Sequence, residues 1–301
     1  GAGTTPALAA DGGETPRPLA REIPLTPAQS EYLAELRESG GLMIATRERE
    51  SVFEPDRFGP GEHGGMEYRL VVHFARAFEL ELQLTVVDAF SDYFVINGEP
   101  VGPVEQRALA AGSAPPQTPD LLRTHHIYVD GFSTRPWRDA LMRFVRTSPG
   151  KDVIVARRDH EMRAPDDLDG AIVAVADASS YVSALDAMAY EHGIRLRYLF
   201  VDDTPQMSEA VANELADATA LGSISALFEI QNYPELTIAF PLSEEASWSH
   251  WAVARDDEIL ASILDAFFEH AKTSGVYEEV WREQFDFGHA EYLRLLGLSG
   301  S

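Results

Sequence analysis

At 301 residues the chain is long enough for two lobes of roughly 100–200 residues each. Its 45% hydrophobic and 10% aromatic content excludes global disorder. A formal charge of −25, from 49 acidic and 24 basic residues, argues against nucleic acid, whose phosphates such a surface repels at long range. The absence of cysteine removes thiol catalysis, thiolate metal sites and disulfides together, and no run approaches the roughly 18 apolar residues of a membrane helix.

Residues 1–25 are rich in Gly, Ala, Thr and Pro and lack apolar periodicity. They read as a flexible leader of the kind left when a signal peptide or lipid-anchored cysteine is cut away, or else as a disordered N-terminus. "TPAQSEYLAELRESGG" (26–41) predicts a helix capped by Thr26, with Pro27 in its first turn and Gly40-Gly41 ending it. "LMIAT" (42–46) predicts a strand, followed by a Gly/Pro/charge loop to Gly65. "MEYRLVVHFARAFEL" has helical spacing and "ELQLTVV" (81–87) alternates as a strand, a βαβ rhythm that favours a parallel sheet. Residues 95–120 are irregular, with one short helix at 103–111. "HHIYVDGF" (125–132) predicts a strand, "PWRDALMRFV" a helix and "KDVIVARR" (151–158) a further strand.

Beyond residue 170 the pattern is cleaner. Strands are expected at 170–176, 195–201, 218–222, 236–242 and 250–255. Helices are expected from Ser179 to Gly193, from Thr204 as cap, over 223–234, over 256–275 and near the end of the chain. The reading is an α/β chain with 159–245 as one compact lobe inserted into another built from 26–150 and 256–301, joined by hinges near 151–158 and 246–255.

Catalytic and metal motifs are scarce. No G-x-G-x-x-G, P-loop, H-E-x-x-H or G-x-S-x-G is present. His125-His126 point to opposite faces of a strand, which disfavours one shared ion. "DDLDG" (166–170) is a turn, too short for a calcium loop. Glu38-Ser39 is a dipeptide found around the catalytic acid of lytic transglycosylases, but Gly40-Gly41 explain it as a helix end.

The order of several stretches resembles the amino-acid-type bacterial extracellular solute-binding proteins with the type II periplasmic binding fold. "LMIATRE" is similar to the family's opening strand, and "GGMEYRLVVHFARAFELELQL" to its G-(F/M)-E-Y-D-L helix and the strand after it. "DGFSTRPWRDALMRF" resembles its G-x-(S/T)-x-T-P-E-R segment, with Pro136 two before Arg138 and Phe144 six after it. "DLDGAIVAVADASSY" resembles the start of the second lobe. The closing part is nearest to the non-catalytic N-terminal domain of membrane-bound lytic transglycosylase F.

The resemblance implies a two-lobe fold with two crossing hinge strands and no catalysis, cofactor or metal. It implies an Arg138 that clamps a ligand carboxylate, flanked by Ser133 and Gly131, or else pairs with an acid of the chain. Ser179 and Ser180 are expected to contact the ligand from the second lobe or to cap a helix, and Ser223 is expected among the ligand-binding residues. Phe53 and Phe58 are an aromatic wall or core. The family's ammonium-binding Asp is replaced by Gly222-Ser223, and a second Asp by Arg69; Asp177, Asp202 or Asp203 would have to serve instead, unless the ligand lacks an ammonium. The implied role is an extracytoplasmic monomer that captures a small carboxylate-bearing solute in the interlobe cleft for a membrane permease. The alternative is a regulatory domain that binds amino acids or muropeptides and acts with a cell-wall enzyme.

Overall fold

The computed structural model describes residues 23–176 and 180–298, the side chain of Ser180 excepted. The expected leader therefore lies, up to residue 22, outside the described residues. In chain order the first elements are α1 (Pro27–Glu38), β1 (Leu42–Arg47), β2 (Glu54–Gly59), β3 (Glu62–Gly64), α2 (Met66–Ala77) and β4 (Leu82–Val87). Next come β5 (Val95–Ile96), β6 (Glu99–Pro100), α3 (Pro103–Ala110), β7 (Ile127–Phe132), α4 (Pro136–Asp139) and β8 (Met142–Gly150). There follow β9 (Asp152–Arg157), β10 (Ile172–Ala176), α5 (Ser180–His192), β11 (Arg197–Val201), α6 (Thr204–Ala212) and β12 (Ala218–Gly222). The chain closes through α7 (Ser223–Asn232), β13 (Leu236–Pro241), β14 (Ser247–Ala254), α8 (Glu258–Ser274), α9 (Val276–Gln284) and α10 (His289–Leu295).

The described residues form two compact units: those up to Ser148 with Ser249–Tyr292, and those of Pro149–Trp248 with Leu293–Leu298. The first holds a five-stranded sheet in the order β4-β1-β7-β14-β8, with β1 parallel to β4 and β7 and β14 antiparallel to β7. The second holds a five-stranded sheet in the order β11-β10-β12-β9-β13, with β10 parallel to both neighbours and β9 antiparallel to β12 and β13. Where the sequence suggests hinges at 151–158 and 246–255, these stretches contain β9 and β14, interior members of their sheets. Their central residues are buried, and the chain passes between the units at 148–149, 248–249 and 292–293.

Local sequence explains the frame. Thr26 accepts from the Gln29 amide and Gln29 returns a bond to the Thr26 N–H, a capping box that starts α1 as expected. Gly41 has φ of +99°, and a Cβ there would lie 2.2 Å from the Glu81 carbonyl oxygen, so the turn into β1 requires glycine. The expected helix over 136–145 stops after one turn. Its second half runs along β8, the strand beside β14, with Phe144 and Val145 suited to a strand. The loop expected before Gly65 contains the β2–β3 hairpin. The cap of α6 is Asp203, whose carboxylate accepts from the Gln206 amide, and the expected Thr204 is instead its first residue.

Candidate functional site

Both sheets have a topological switch point, where successive parallel strands depart to opposite sides and leave a crevice beyond their carboxyl ends. In the first unit it lies between β1 and β7, and the residues that follow those strands and β4 converge there. Arg47 ends β1, and Asp130 lies near the end of β7. Asp130 is 1% exposed and holds Arg47 through Nε at 3.1 Å and Nη2 at 3.4 Å, while it accepts the Gly131 amide at 2.7 Å. Gly131 is exposed, but its N–H is thus committed within the protein.

Arg138 sits in the single turn of α4. Its Nη1 donates to the Ser133 carbonyl at 2.9 Å and to the Ser133 hydroxyl at 3.2 Å. Its guanidinium lies 5.1 Å from the Phe90 ring centroid and 5.2 Å from those of Phe94 and Trp137, an aromatic box. Burial is the main reason its pKa is pushed down to about 10, so it stays charged at neutral pH. Its Nε is buried without a hydrogen-bond partner, and among the described residues no carboxylate lies within ion-pair distance. Nη1 is held by Ser133 and Nε is enclosed, while Nη2 makes no hydrogen bond to the described residues. Ser133, which accepts through Oγ, keeps its own hydroxyl proton to donate.

The box comes from residues that the sequence reading did not single out. Phe90 and Phe94 belong to the turn Phe90–Phe94 after β4, inside the stretch that departs from the family pattern, and they pack on Phe132 and Trp137. Arg47 also lies over Phe90, at 5.0 Å. A visible signal was the aromatic spacing of "FSDYF", three rings in five residues.

Beneath this site Glu67 of α2, 4% exposed, accepts from the Ser249 hydroxyl at 3.0 Å and from the Trp251 indole at 2.7 Å. Burial pushes its carboxyl up to about 7; the two hydrogen bonds oppose that shift and Asp130 adds to it. A raised folded-state pKa means the native state holds a proton that the unfolded chain releases. Stability from this group is therefore full below its ordinary value near 4.5 and falls as pH rises to about 7. The slope is up to about 1.4 kcal/mol per pH unit. Glu67→Gln should flatten this fall, so its melting temperature relative to wild type should rise between pH 5 and pH 8; an unchanged difference in a thermal melt series refutes the assignment.

The other expected site residues are distributed as follows. Phe53 is 3% exposed and packs edge-on against Tyr68 and His63, so it is core. Phe58 is 49% exposed on β2, under the Arg57 guanidinium. Ser223 is 2% exposed, and its hydroxyl accepts from the Lys151 amide at 3.1 Å, which commits it to joining the start of α7 to β9. The amide of Gly222, beyond β12 at the second unit's own switch point, donates to the Tyr181 hydroxyl at 2.9 Å; Tyr181 is a residue the sequence reading passed over. Asp177 and Ser179, and the side chain of Ser180, lie outside the described residues. Asp202 and Asp203 are exposed and bond to Gln206.

Arg69 donates to Glu283 of α9 through Nε at 2.6 Å and Nη2 at 2.7 Å, which turns the family's missing Asp into a bridge between α2 and α9. His126 accepts the Met43 amide through Nδ1 and His125 Nε2 bonds Thr85, so each histidine is tied to a neighbouring strand. Among the described residues no group of three or more His, Asp or Glu side chains could hold a metal ion, and no helix is long and apolar enough to cross a membrane.

These sheets, their strand orders and their switch points define the type II periplasmic-binding-protein fold of amino-acid solute-binding proteins. The second substrate-binding domain of a putative amino acid ABC transporter from Streptococcus pneumoniae superposes with a TM-score of 0.58 at 13% identity, covering 81% of this chain and 99% of that one. An ancestral amino acid-binding protein, a precursor of cyclohexadienyl dehydratase, gives 0.56 at 16% identity, covering 84% and 99%. In sequence the chain is similar to membrane-bound lytic murein transglycosylase F of Stutzerimonas stutzeri, 28% identical over 270 residues. That match covers 88% of this chain and 50% of the relative, so the chain spans about half the length of the curated relatives it matches. No family model matches.

Proposed function

We propose that the protein is a non-catalytic, extracytoplasmic solute-binding protein that captures a small carboxylate-bearing ligand, an amino acid or a derivative, for an ABC-type permease. The observation that carries this reading is Arg138: a half-buried guanidinium, boxed by three rings, with no carboxylate partner among the described residues and one donor edge open. A buried cation of this kind is costly unless an anion meets it. The Ser133 hydroxyl adds a second donor to the same carboxylate. In the second unit Tyr181, whose hydroxyl accepts the Gly222 amide, stands at that unit's own switch point, and the resemblance assigns Ser179 and Ser180 to ligand contact.

The absence of an acid at Gly222 and Ser223 favours ligands whose amine is acylated or missing, since an unpaired ammonium is costly to bury. A second reading, a regulatory domain of cell-wall metabolism that binds amino acids or muropeptides, is favoured by the 88% coverage of this chain in the match to transglycosylase F.

A thermal-shift screen against amino acids, N-acyl amino acids, dicarboxylates and muropeptides tests both. At a hundredfold excess over its Kd a true ligand stabilises by about 2.7 kcal/mol. Arg138→Ala should abolish that shift. A response to muropeptides alone selects the second reading, and no response from wild type to any compound overturns the carboxylate clamp.

A further inference from the structure

The buried acid beneath the Arg138 site can carry a proton on only one of its oxygens. Glu67 Oε2 accepts the Trp251 indole N–H at 2.7 Å, and Oε1 accepts the Ser249 hydroxyl at 3.0 Å. An indole is a donor only, so a proton on Oε2 would face another proton, and the neutral acid carries its own on Oε1. A hydroxyl both gives and takes: when Oε1 is protonated, Ser249 Oγ accepts from it and its own proton turns elsewhere. A Cβ at Gly131, which is exposed at the site, would lie 3.3 Å from Ser249 Oγ and 3.8 Å from Glu67 Oε1. The two protonation states of Glu67 thus differ by a full charge and by the direction in which Ser249 donates.

Two routes link this carboxyl to Arg138. Gly131 stands two residues before Ser133, whose carbonyl and hydroxyl take Arg138 Nη1. Asp130, which faces Glu67 from β7, holds Arg47, and the guanidiniums of Arg47 and Arg138 lie 5.0 and 5.1 Å from the same Phe90 ring. From α9 comes Tyr277, whose hydroxyl is kept neutral by burial and by Glu67 itself. β14 offers the neutral Ser249 and Trp251, while its His250 bonds the Phe132 carbonyl at 3.0 Å. His63 of β3 meets Tyr68 edge-on at 5.7 Å, and Arg69 and His73 of α2 pair with Glu283 and Glu279 of α9. When Glu67 is ionised, two buried carboxylates therefore stand behind the site; when it is neutral only Asp130 is charged, and Arg47 already matches it. Salt screens such buried charges poorly.

Resting on the reading of Arg138 as a carboxylate clamp, we propose that Glu67 is a positioning residue that couples capture of the anion to uptake of one proton. Ionised Glu67 repels the incoming carboxylate and draws the Ser249 hydroxyl toward itself. Neutral Glu67 removes the repulsion and releases the Ser249 proton to the Gly131 side. A bound anion pushes the Glu67 carboxyl higher still, so affinity is level below about 7 and falls as pH rises above it. Glutamine at this position reproduces the neutral acid, since its carbonyl oxygen accepts from Trp251 and its amide group donates to Ser249.

Titration calorimetry of the full chain with N-acetylalanine at pH 6 and pH 8.5, beside NMR of the Trp251 indole and Arg138 Nε–H resonances across the same range, tests this. The Kd should be about fivefold weaker at pH 8.5, the low end for coupled sites, with proton uptake on binding. Glu67→Gln should keep the tighter value at both pH values, whereas a purely structural role would weaken both alike. In wild type the two resonances should titrate together with a midpoint near 7, and the response of Arg138 should vanish in Glu67→Gln. A Kd indifferent to pH, a slope that survives in Glu67→Gln, or an Arg138 resonance that ignores the titration seen at Trp251 overturns the proposal. The wild-type resonances decide even where Glu67→Gln fails to fold. They also need no ligand: resonances that titrate together without any binding of N-acetylalanine support the coupling and fault the carboxylate clamp instead.

Discussion

Arg47→Met should destabilise the first unit by about 3 kcal/mol, the low end for breaking a buried ion pair. The cost comes from what is left behind. Asp130 is 1% exposed and would keep the Gly131 amide but lose its cation, an uncompensated carboxylate at the end of an interior strand. Arg47 itself is 21% exposed, so part of its own attraction is screened by water, which holds the figure at the low end. Adding Asp130→Asn removes the stranded charge while keeping an acceptor for Gly131, and the double variant should recover most of the loss in urea unfolding. Equal stability of the single and double variants would show that the pair is not coupled.

Trp251→Ala should cost at least about 3–5 kcal/mol, the range for emptying an aromatic site in a packed core. The indole is fully buried and meets the Phe268 ring edge-on at 5.0 Å. Its N–H is also one of the two donors that Glu67 receives, so truncation leaves a buried acceptor short of a partner. Trp251→Phe restores much of the volume but not the donor, and the difference between the two variants measures the hydrogen bond. Unfolding of a two-unit chain need not be two-state. The shift should therefore appear in the transition that disrupts the first unit, followed by near-ultraviolet circular dichroism.

Much of this fold was legible because it rests on local chemistry. Thr26, Pro27 and the Gly40-Gly41 pair mark α1 within a residue, and the long apolar strands announce both sheets. The exceptions have physical causes. Residues 141–145 place Leu141, Phe144 and Val145 at a spacing that fits a helix, while Met142 and Phe144 fit a strand; hydrogen bonding to β14, which arrives more than a hundred residues later, decides for the strand. Asp203 and Thr204 are both good caps, and a one-residue choice between them turns on tertiary contacts.

The site was legible only in part. Arg138 stood out by its spacing from Pro136 and Phe144, and the structure places it at a switch point. The rings of "FSDYF" are visible in the sequence, but their pairing with Arg138 is not, because Phe90 and Phe94 lie more than forty residues upstream in a stretch that follows no family pattern. Phe53 and Ser223 illustrate the converse. Each sits near the right loop in sequence, but burial among Tyr68 and His63, or acceptance of the Lys151 amide, is invisible without coordinates.

The order of strands within the first sheet also sets a schedule for folding. β14 lies between β7 and β8, so that sheet stays split until residue 254 has been made. Every strand of the second sheet lies between Asp152 and Pro241. During synthesis the later-encoded sheet can therefore close before the earlier one, reversing the usual N-terminal-first order. Until then the edges of β7 and β8 wait exposed, and pairing across so large a sequence separation makes the first unit the slower to fold.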